Sequence, residues 1–312
     1  MQILLDNFIE AWINAIKYHD KIMDGYITLG IQKQFVSSLH NAVELCLKQI
    51  MLDKNNTAVA EIKIRNKEDA KLSLEYFQAA ETGSLNIFFK QLSSDKVSKF
   101  ISIKFNDLKE KYNRFKLVDI SDEKEKSEFT TSMGLLQNLR NDETHFYIDN
   151  SFLSEENFCK LHNFMILFYK SAVEDFLENN QLLRPWHVWG SNEIKMIDES
   201  GRNVIFNQTK LHKFSYKQAI LDNELYNIIK ECDKEMKLYG LHCSDIDTYA
   251  LNIIDHFLQP QNSNYIHEDI HTMLLSMKNI KLIDIEEYEF KVKDLDDNTI
   301  DNYTCIYLNF NF

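Results

Sequence analysis

Three polar side chains sit close together in one stretch of this 312-residue chain: Arg140, Asn141 and His145, within LLQNLRNDETHFY (135–147). Histidine titrates near neutrality, so it can take the proton of a ribose 2′-hydroxyl or protonate a leaving oxygen. Arginine stays charged and offers phosphate two parallel N–H bonds, which favours a more highly charged transition state. Asn141 can orient the phosphate or hold a backbone turn. Together these are the groups needed to cleave RNA without a metal. On an unbroken helix, residues five apart emerge about 140° apart around the axis. A break after Arg140 would let the two side chains converge, and Asn-Asp-Glu-Thr is weak helix sequence. Spacing alone carries little, since chance supplies roughly 0.2 such pairs in a chain of this composition.

A second constellation is His267-Glu268-Asp269-Ile270-His271. On a helix its histidines share a face and can bind zinc, with Glu268 as the base of a hydrolase. Asp269 stands where zinc peptidases usually keep an uncharged residue, and the third ligand is open among Glu286, Glu287 and Glu289. Cys232, His242, Cys243 and His256 have the composition of a metal cluster but the spacing of no zinc ribbon or finger. There is no G-x-S-x-G elbow and no phosphate loop. The five cysteines are scattered and contain no CxxC pair, which reads as reduced thiols in a cytoplasmic protein.

The elements that must position these groups are helical. Only seven glycines and two prolines are present, too few for sandwiches, barrels or dinucleotide folds. Apolar residues recur at helical spacing over 2–24 (Leu5, Phe8, Ile9, Trp12, Ile16) and over 31–53 (Phe35, Leu39, Ala42, Val43, Leu47, Ile50, Met51). A short strand at 58–64 and a helix at 67–81 follow. One or two helices fill 85–116, broken near Ser93–Asp95. A helix then covers 128–140, and another starts at Ser154 and runs to about Asn179. Composition shifts at Leu183-Arg184-Pro185-Trp186, where His187 and Trp189 read as linker packing. Beyond it come a strand at 203–206, helices at 219–239, 245–258 and 266–277, a loop at 260–264, and paired strands at 281–292 and 303–310 turning at Asp296. The fold class is therefore mainly α, with a helical bundle over 1–182 and a small α+β domain over 183–312.

Net charge is −13 and the isoelectric point about 5.3, which excludes a protein that coats nucleic acid over its whole surface. Residues 85–116 are a local exception, with eight basic and three acidic side chains interleaved with Phe88, Phe89, Phe100, Phe105, Tyr112 and Phe115. Such a segment can track an RNA backbone, or it can be a core-packed helix with a lysine-rich face. The acidic start and the lack of an apolar run near ~18 residues predict no membrane span. The protein is expected to be cytoplasmic, with neither membrane nor DNA as partner.

Leu139-Arg140-Asn141-x-x-x-His145 resembles the RNxxxH form of the R-x4–6-H motif of HEPN-superfamily ribonucleases. Residues 39–52 (LHNAVELCLKQIML) resemble the early helix of that family, apolar-x-x-Ala-x-Glu-Leu-x-x-Lys-x-x-Leu. The resemblance covers 1–180 in pattern, and only these two segments are specific. It implies a HEPN-like helical bundle and a metal-independent endoribonuclease without cofactor. It further implies a homodimer that brings two Arg–His pairs to one cleft, in toxin–antitoxin or abortive-infection defence. Arg140 and His145 would be catalytic and Asn141 supporting, with Glu44 and Lys48 behind them on the matching early helix. Tyr147 extends the motif to Arg-x4-His-x-Tyr, similar to HepT-type toxins, in which that tyrosine is modified by the antitoxin. It could also stack a base. RNA, tRNA included, and an antitoxin or regulatory protein are the partners this implies. A second reading keeps the bundle as a non-catalytic module that binds RNA, nucleotide or protein.

Overall fold

The computed structural model describes residues 4–145, 153–174, 193–197, 203–207, 209–239, 241, 243–258, 265–293 and 300–311. Tyr147, His187, Trp189, His242, residues 175–179, the 260–264 loop and the turn at Asp296 lie outside them. The fold is mainly α, as composition and periodicity predict. Among the described residues, no helix is long and apolar enough to cross a membrane. The chain forms two compact units. The first comprises Met1–Tyr18, Lys33–Ile148 and Glu156–His212; the second comprises His19–Gln32, Asp149–Glu155 and Lys213–Phe312.

Four helices carry the core of the first unit: α1 (Leu5–Met23), α2 (Leu29–Asp53), α7 (Glu123–His145) and α8 (Glu155–Phe168, continued as a π turn over Tyr169–Val173). Their stripes meet through aromatic rings. Trp12 of α1 packs edge-on against Phe168 at 6.0 Å, Phe35 of α2 lies 5.7 Å from Phe158, and Phe129 of α7 lies 5.2 Å from Phe164. All six of these rings except Phe164 are completely enclosed. Burying one such side chain stabilises by roughly 1.5–3 kcal/mol, and edge-on geometry adds to that.

Shorter elements fill the span between α2 and α7. They are β1 (Ala60–Ile62), α3 (Lys67–Glu81), α4 (Leu85–Gln91), α5 (Ser94–Val97), β2 (Phe100–Ser102) and α6 (Phe105–Lys111). β1 and β2 pair antiparallel, Glu61 opposite Ile101. Residues 85–116 are thus more finely broken than one or two helices, and β2 is an element the periodicity misses. The reason is Phe100. Its ring lies 5.3 Å from Tyr76 and 5.1 Å from Phe89, in a cluster completed by Phe88. An extended segment delivers the ring there. These aromatics pack on one another, beneath exposed lysines such as Lys90, Lys96 and Lys104. Further along the chain, strands β3 (Glu193–Ile197) and β4 (Asn203–Asn207) form a second antiparallel pair.

The second unit contains α9 (Tyr216–Asp222), α10 (Glu224–Tyr239), α11 (Ile246–Ile253, continued as a π turn over Ile254–Leu258), α12 (His267–Asn279) and the antiparallel pair β5 (Ile283–Lys293) and β6 (Ile300–Phe310). The helix read as one over 219–239 is two, because Asn223 stops α9 in extended geometry and caps α10 by accepting from Leu225 N. Buried Asp233 and Tyr249 meet exposed Lys237 in a polar knot: Tyr249 donates to Asp233 at 2.6 Å, and Lys237 reaches Asp233 at 2.8 Å and the Leu308 carbonyl at 2.7 Å.

The turn between α1 and α2 belongs to this unit. Asn223 donates to the Asp24 carbonyl at 2.6 Å, Ile27 N donates to Ser276 Oγ at 2.7 Å, and Asn279 donates to the Ile27 carbonyl at 3.2 Å. Gly25 sits at φ +86°, and a Cβ there would stand 2.8 Å from Ile220 Cα and 2.9 Å from the Ala219 carbonyl. Both the conformation and the space demand glycine. Gly25→Ala is expected to lose more than about 2 kcal/mol of stability, read as a lowered urea midpoint. An unchanged midpoint would mean that this turn is not docked on α9 in solution.

Candidate functional site

Arg140 owes its position to the apolar stripe of α7. Phe129, Met133 and Leu136 are fully buried at helical spacing, and Arg140 is the next residue on the same line. A guanidinium therefore stands where a hydrocarbon would continue the core, and it is half-buried. Gln137, one turn before Asn141, donates to Asn141 Oδ1 at 2.8 Å and holds that carboxamide beside Arg140.

α7 runs without a break to His145, its last residue. The backbone break that would bring Arg140 and His145 together within one chain is absent. The two residues start about 140° apart around the axis and about 7.5 Å along it. The sequence thus brings Arg140, Asn141 and Gln137 together, and sets His145 at the helix end.

The facing helix supplies the second half of the site. His40, Glu44 and Lys48 of α2 are spaced by four and lie on one ridge. Lys48 Nζ reaches Glu44 Oε1 at 2.5 Å and Ser102 Oγ of β2 at 3.0 Å, and the lysine side chain is only 11% exposed. Glu44 and Lys48, the pair the early-helix pattern singles out, thus form one ion pair anchored to β2. Beyond Glu44 opens a polar cleft of about 490 Å³ lined by Asn7, Glu10, Asn14, Ser38 and Asn41.

His40 is the residue that motif reasoning passes over. Its ring stacks on Phe105 at a centroid distance of 4.1 Å, and Nδ1 lies 3.8 Å from Glu44 Oε2. Burial holds its proton affinity below the ordinary histidine value, and the Arg140 charge acts in the same direction. Glu44 and the Gln137 and Asn41 carboxamides oppose this. The one available signal was a polar residue inside the apolar stripe Val36, Leu39, Val43, Leu47.

In the second unit, His267 and His271 of α12 both turn towards Asp247 of α11. His271 Nε2 is 3.3 Å and His267 Nε2 is 3.8 Å from Asp247 Oδ1, with the two rings stacked in parallel at 5.9 Å. One carboxylate bridges two imidazoles side by side. Glu268 is exposed on the first turn of the same helix. Among the described residues, no group of three or more His, Cys, Asp or Glu side chains is arranged to hold a metal ion. Cys232 and Cys243 are buried thiols; burial pushes Cys232 up to about 11 and raises Cys243, which accepts from Asn252 at 3.1 Å.

Two measurements probe the α2 side of the site. Lys48→Met keeps the buried stem and removes the charge, leaving Glu44 and Ser102 without their donor. It is expected to cost about 1–3 kcal/mol, much of it restored in the Lys48→Met/Glu44→Gln double variant. Equal stability of Lys48→Met and wild type would mean the pair is not formed. For His40, the folded-state affinity for protons lies below the unfolded value near 6.5. The unfolded chain therefore binds more protons as pH falls below that value, and stability falls with it. Wild type should lose stability below about pH 6.5 more steeply than His40→Phe; parallel curves would contradict this.

Comparison with family models, with curated proteins and with solved structures returns no match for this chain, so its function is read from the site itself.

Proposed function

We propose that the chain is a metal-independent endoribonuclease of the antiphage-defence or toxin type, working as a cytoplasmic homodimer. The observation that carries this reading is Arg140, an arginine fixed at the end of a core stripe beside an oriented carboxamide, with a histidine five residues on. The five cysteines are thiols rather than disulfides, which suits a reducing compartment.

In this reading Arg140 grips two oxygens of the scissile phosphate and Asn141 orients it. His145 takes the proton of the 2′-hydroxyl as that oxygen attacks phosphorus, and the P–O5′ bond breaks. The imidazolium, or its counterpart across the dimer, returns a proton to the leaving 5′-oxygen. The products carry a 2′,3′-cyclic phosphate and a 5′-hydroxyl. Because helix geometry separates Arg140 from His145 within one chain, the complete site draws on two copies. The acidic total charge favours a restricted target such as a tRNA loop over bulk RNA. The C-terminal part then serves as sensor, as antitoxin-binding surface or as restraint, and Tyr147 is open to modification or base stacking.

Induced expression of wild type in bacteria is expected to arrest growth and yield discrete RNA fragments with cyclic-phosphate ends. His145→Ala should lower cleavage by purified protein by about 100-fold or more. Arg140→Lys should lower it as well, since lysine cannot form the paired bonds. Cleavage that survives His145→Ala would overturn the assignment. Retained RNA binding by a wild type that never cleaves would favour the non-catalytic module instead.

A further inference from the structure

The cleavage chemistry leaves a polar groove of the first unit unused. It lies between α7, α8 and the stretch 209–212, and its volume is about 440 Å³. Lysines from three places line it: Lys124 at the start of α7, Lys160 of α8, and Lys210. His212 adds an imidazole, and Ser127 and Thr131 present hydroxyls. Among the described residues, Glu128 is the one carboxylate in the lining. In a chain of net charge −13, this is a concentration of the opposite sign.

The third wall is clamped in place. Asn163 of α8 grips the backbone of Leu211 at two points, donating to its carbonyl at 3.1 Å and accepting from its N–H at 2.9 Å. Buried His162, beside it, donates to the Thr209 carbonyl at 2.7 Å. A polar pair in a largely apolar helix thus fixes three residues of loop. What that loop brings to the groove is Lys210 and His212, one on each side of Leu211. Lys210 has no ion pair among the described residues. Lys124 and Lys160 each pair with the glutamate four residues on or back, Glu128 at 3.9 Å and Glu156 at 2.7 Å. Exposed pairs of this kind are weak and yield to a phosphate.

The groove lies on the side of α7 that leads to His145. Helix positions seven apart fall within about 20° of one another, so Lys124, Thr131, Asn138 and His145 follow one gently turning line. Exposed Asn138 continues that line past the groove. The position of Arg140 is about 160° from that of Lys124 and belongs to the other side. From Thr131 to His145 the axis rises about 21 Å, a distance that several nucleotides of an extended strand cover.

We propose that this groove holds the sugar-phosphate backbone of single-stranded RNA and leads it along α7 to the position of His145. This rests on the ribonuclease reading above and names where the substrate lies on each copy. Ammonium and hydroxyl groups strung along a helix suit a chain of phosphates and sugars, gripped without regard to base.

The test uses the full-length protein. Binding of a 2′-O-methyl RNA oligonucleotide, which cannot be cleaved, is measured across salt concentrations, with cleavage of the unmodified oligonucleotide alongside. Lys210→Gln and Thr131→Glu alter exposed positions and are expected to melt like wild type. Lys210→Gln should bind about 5-fold more weakly, with the slope of log affinity against log salt shallower by about 0.7. Thr131→Glu sets a carboxylate in the middle of the groove and should bind about 10-fold more weakly. Lys71→Gln, the same charge change on exposed α3 surface, should bind like wild type. If Lys210→Gln and Thr131→Glu bind and cleave like wild type while His145→Ala is inactive, the groove is overturned and the ribonuclease reading stands. Equal losses in Lys71→Gln and Lys210→Gln overturn it too, because affinity then follows total charge. If wild type binds but does not cleave, the ribonuclease reading fails, and the affinity of Lys210→Gln still decides the groove. A wild type that neither binds nor cleaves overturns both.

Discussion

The seam between α2 and α7 imposes a constraint on everything around it: a guanidinium has to sit at the edge of a hydrocarbon core without dragging water into it. An uncompensated charge in such a place is strongly destabilising. The fold answers with a second polar line on the facing helix. Lys48 cancels Glu44 and is tied to Ser102 of β2. His40 places an uncharged ring against Arg140's neighbourhood.

Holding such a seam steady requires rigid walls, and the aromatic core provides them. Phe129 meets Tyr112 at 4.8 Å on one side and Phe164 at 5.2 Å on the other, so α7 is pinned between α6 and α8. Tyr112 also hydrogen-bonds Thr130 at 2.9 Å and the Lys126 carbonyl at 3.1 Å, which fixes α6 along α7 as well as against it. Phe105, at the start of α6, is the ring beneath His40. The orientation of the imidazole is thus set by the same short helix that braces α7. The small β1–β2 pair has a matching task, since its Ser102 anchors the Lys48 end of the line.

Periodicity read the long helices well because their stripes are long: α2, α3 and α12 lie within two residues of the expected bounds. Three-residue β2 was illegible, because no alternation can be seen in so short a run and its one informative residue, Phe100, declares itself only through its partners. The turn at Gly25 was equally silent, since its glycine is required by a backbone some 190 residues away in sequence. Within the site, Glu44 and Lys48 were visible only through the early-helix pattern they match. His40 was not, because an isolated polar residue in an apolar stripe looks like noise until the facing helix presents Arg140. Motif spacing finds groups that share an element; groups that share only a packing interface need the fold.

The unbroken course of α7 bears on the proposed ribonuclease reading. A break after Arg140 would have closed a site within one chain, and weak helix formers stand at the right place for it. The helix persists instead, with Gln137 and Asn141 bonded across one turn of it. Arg140 is then committed to the α2 side, whereas His145 starts from a different face about 7.5 Å along the axis. Under the proposed ribonuclease reading, an arginine and a histidine so placed act on one phosphodiester most simply when they come from two copies. In the ribonuclease reading proposed above, the unbroken course of α7 is thus what calls for a second copy.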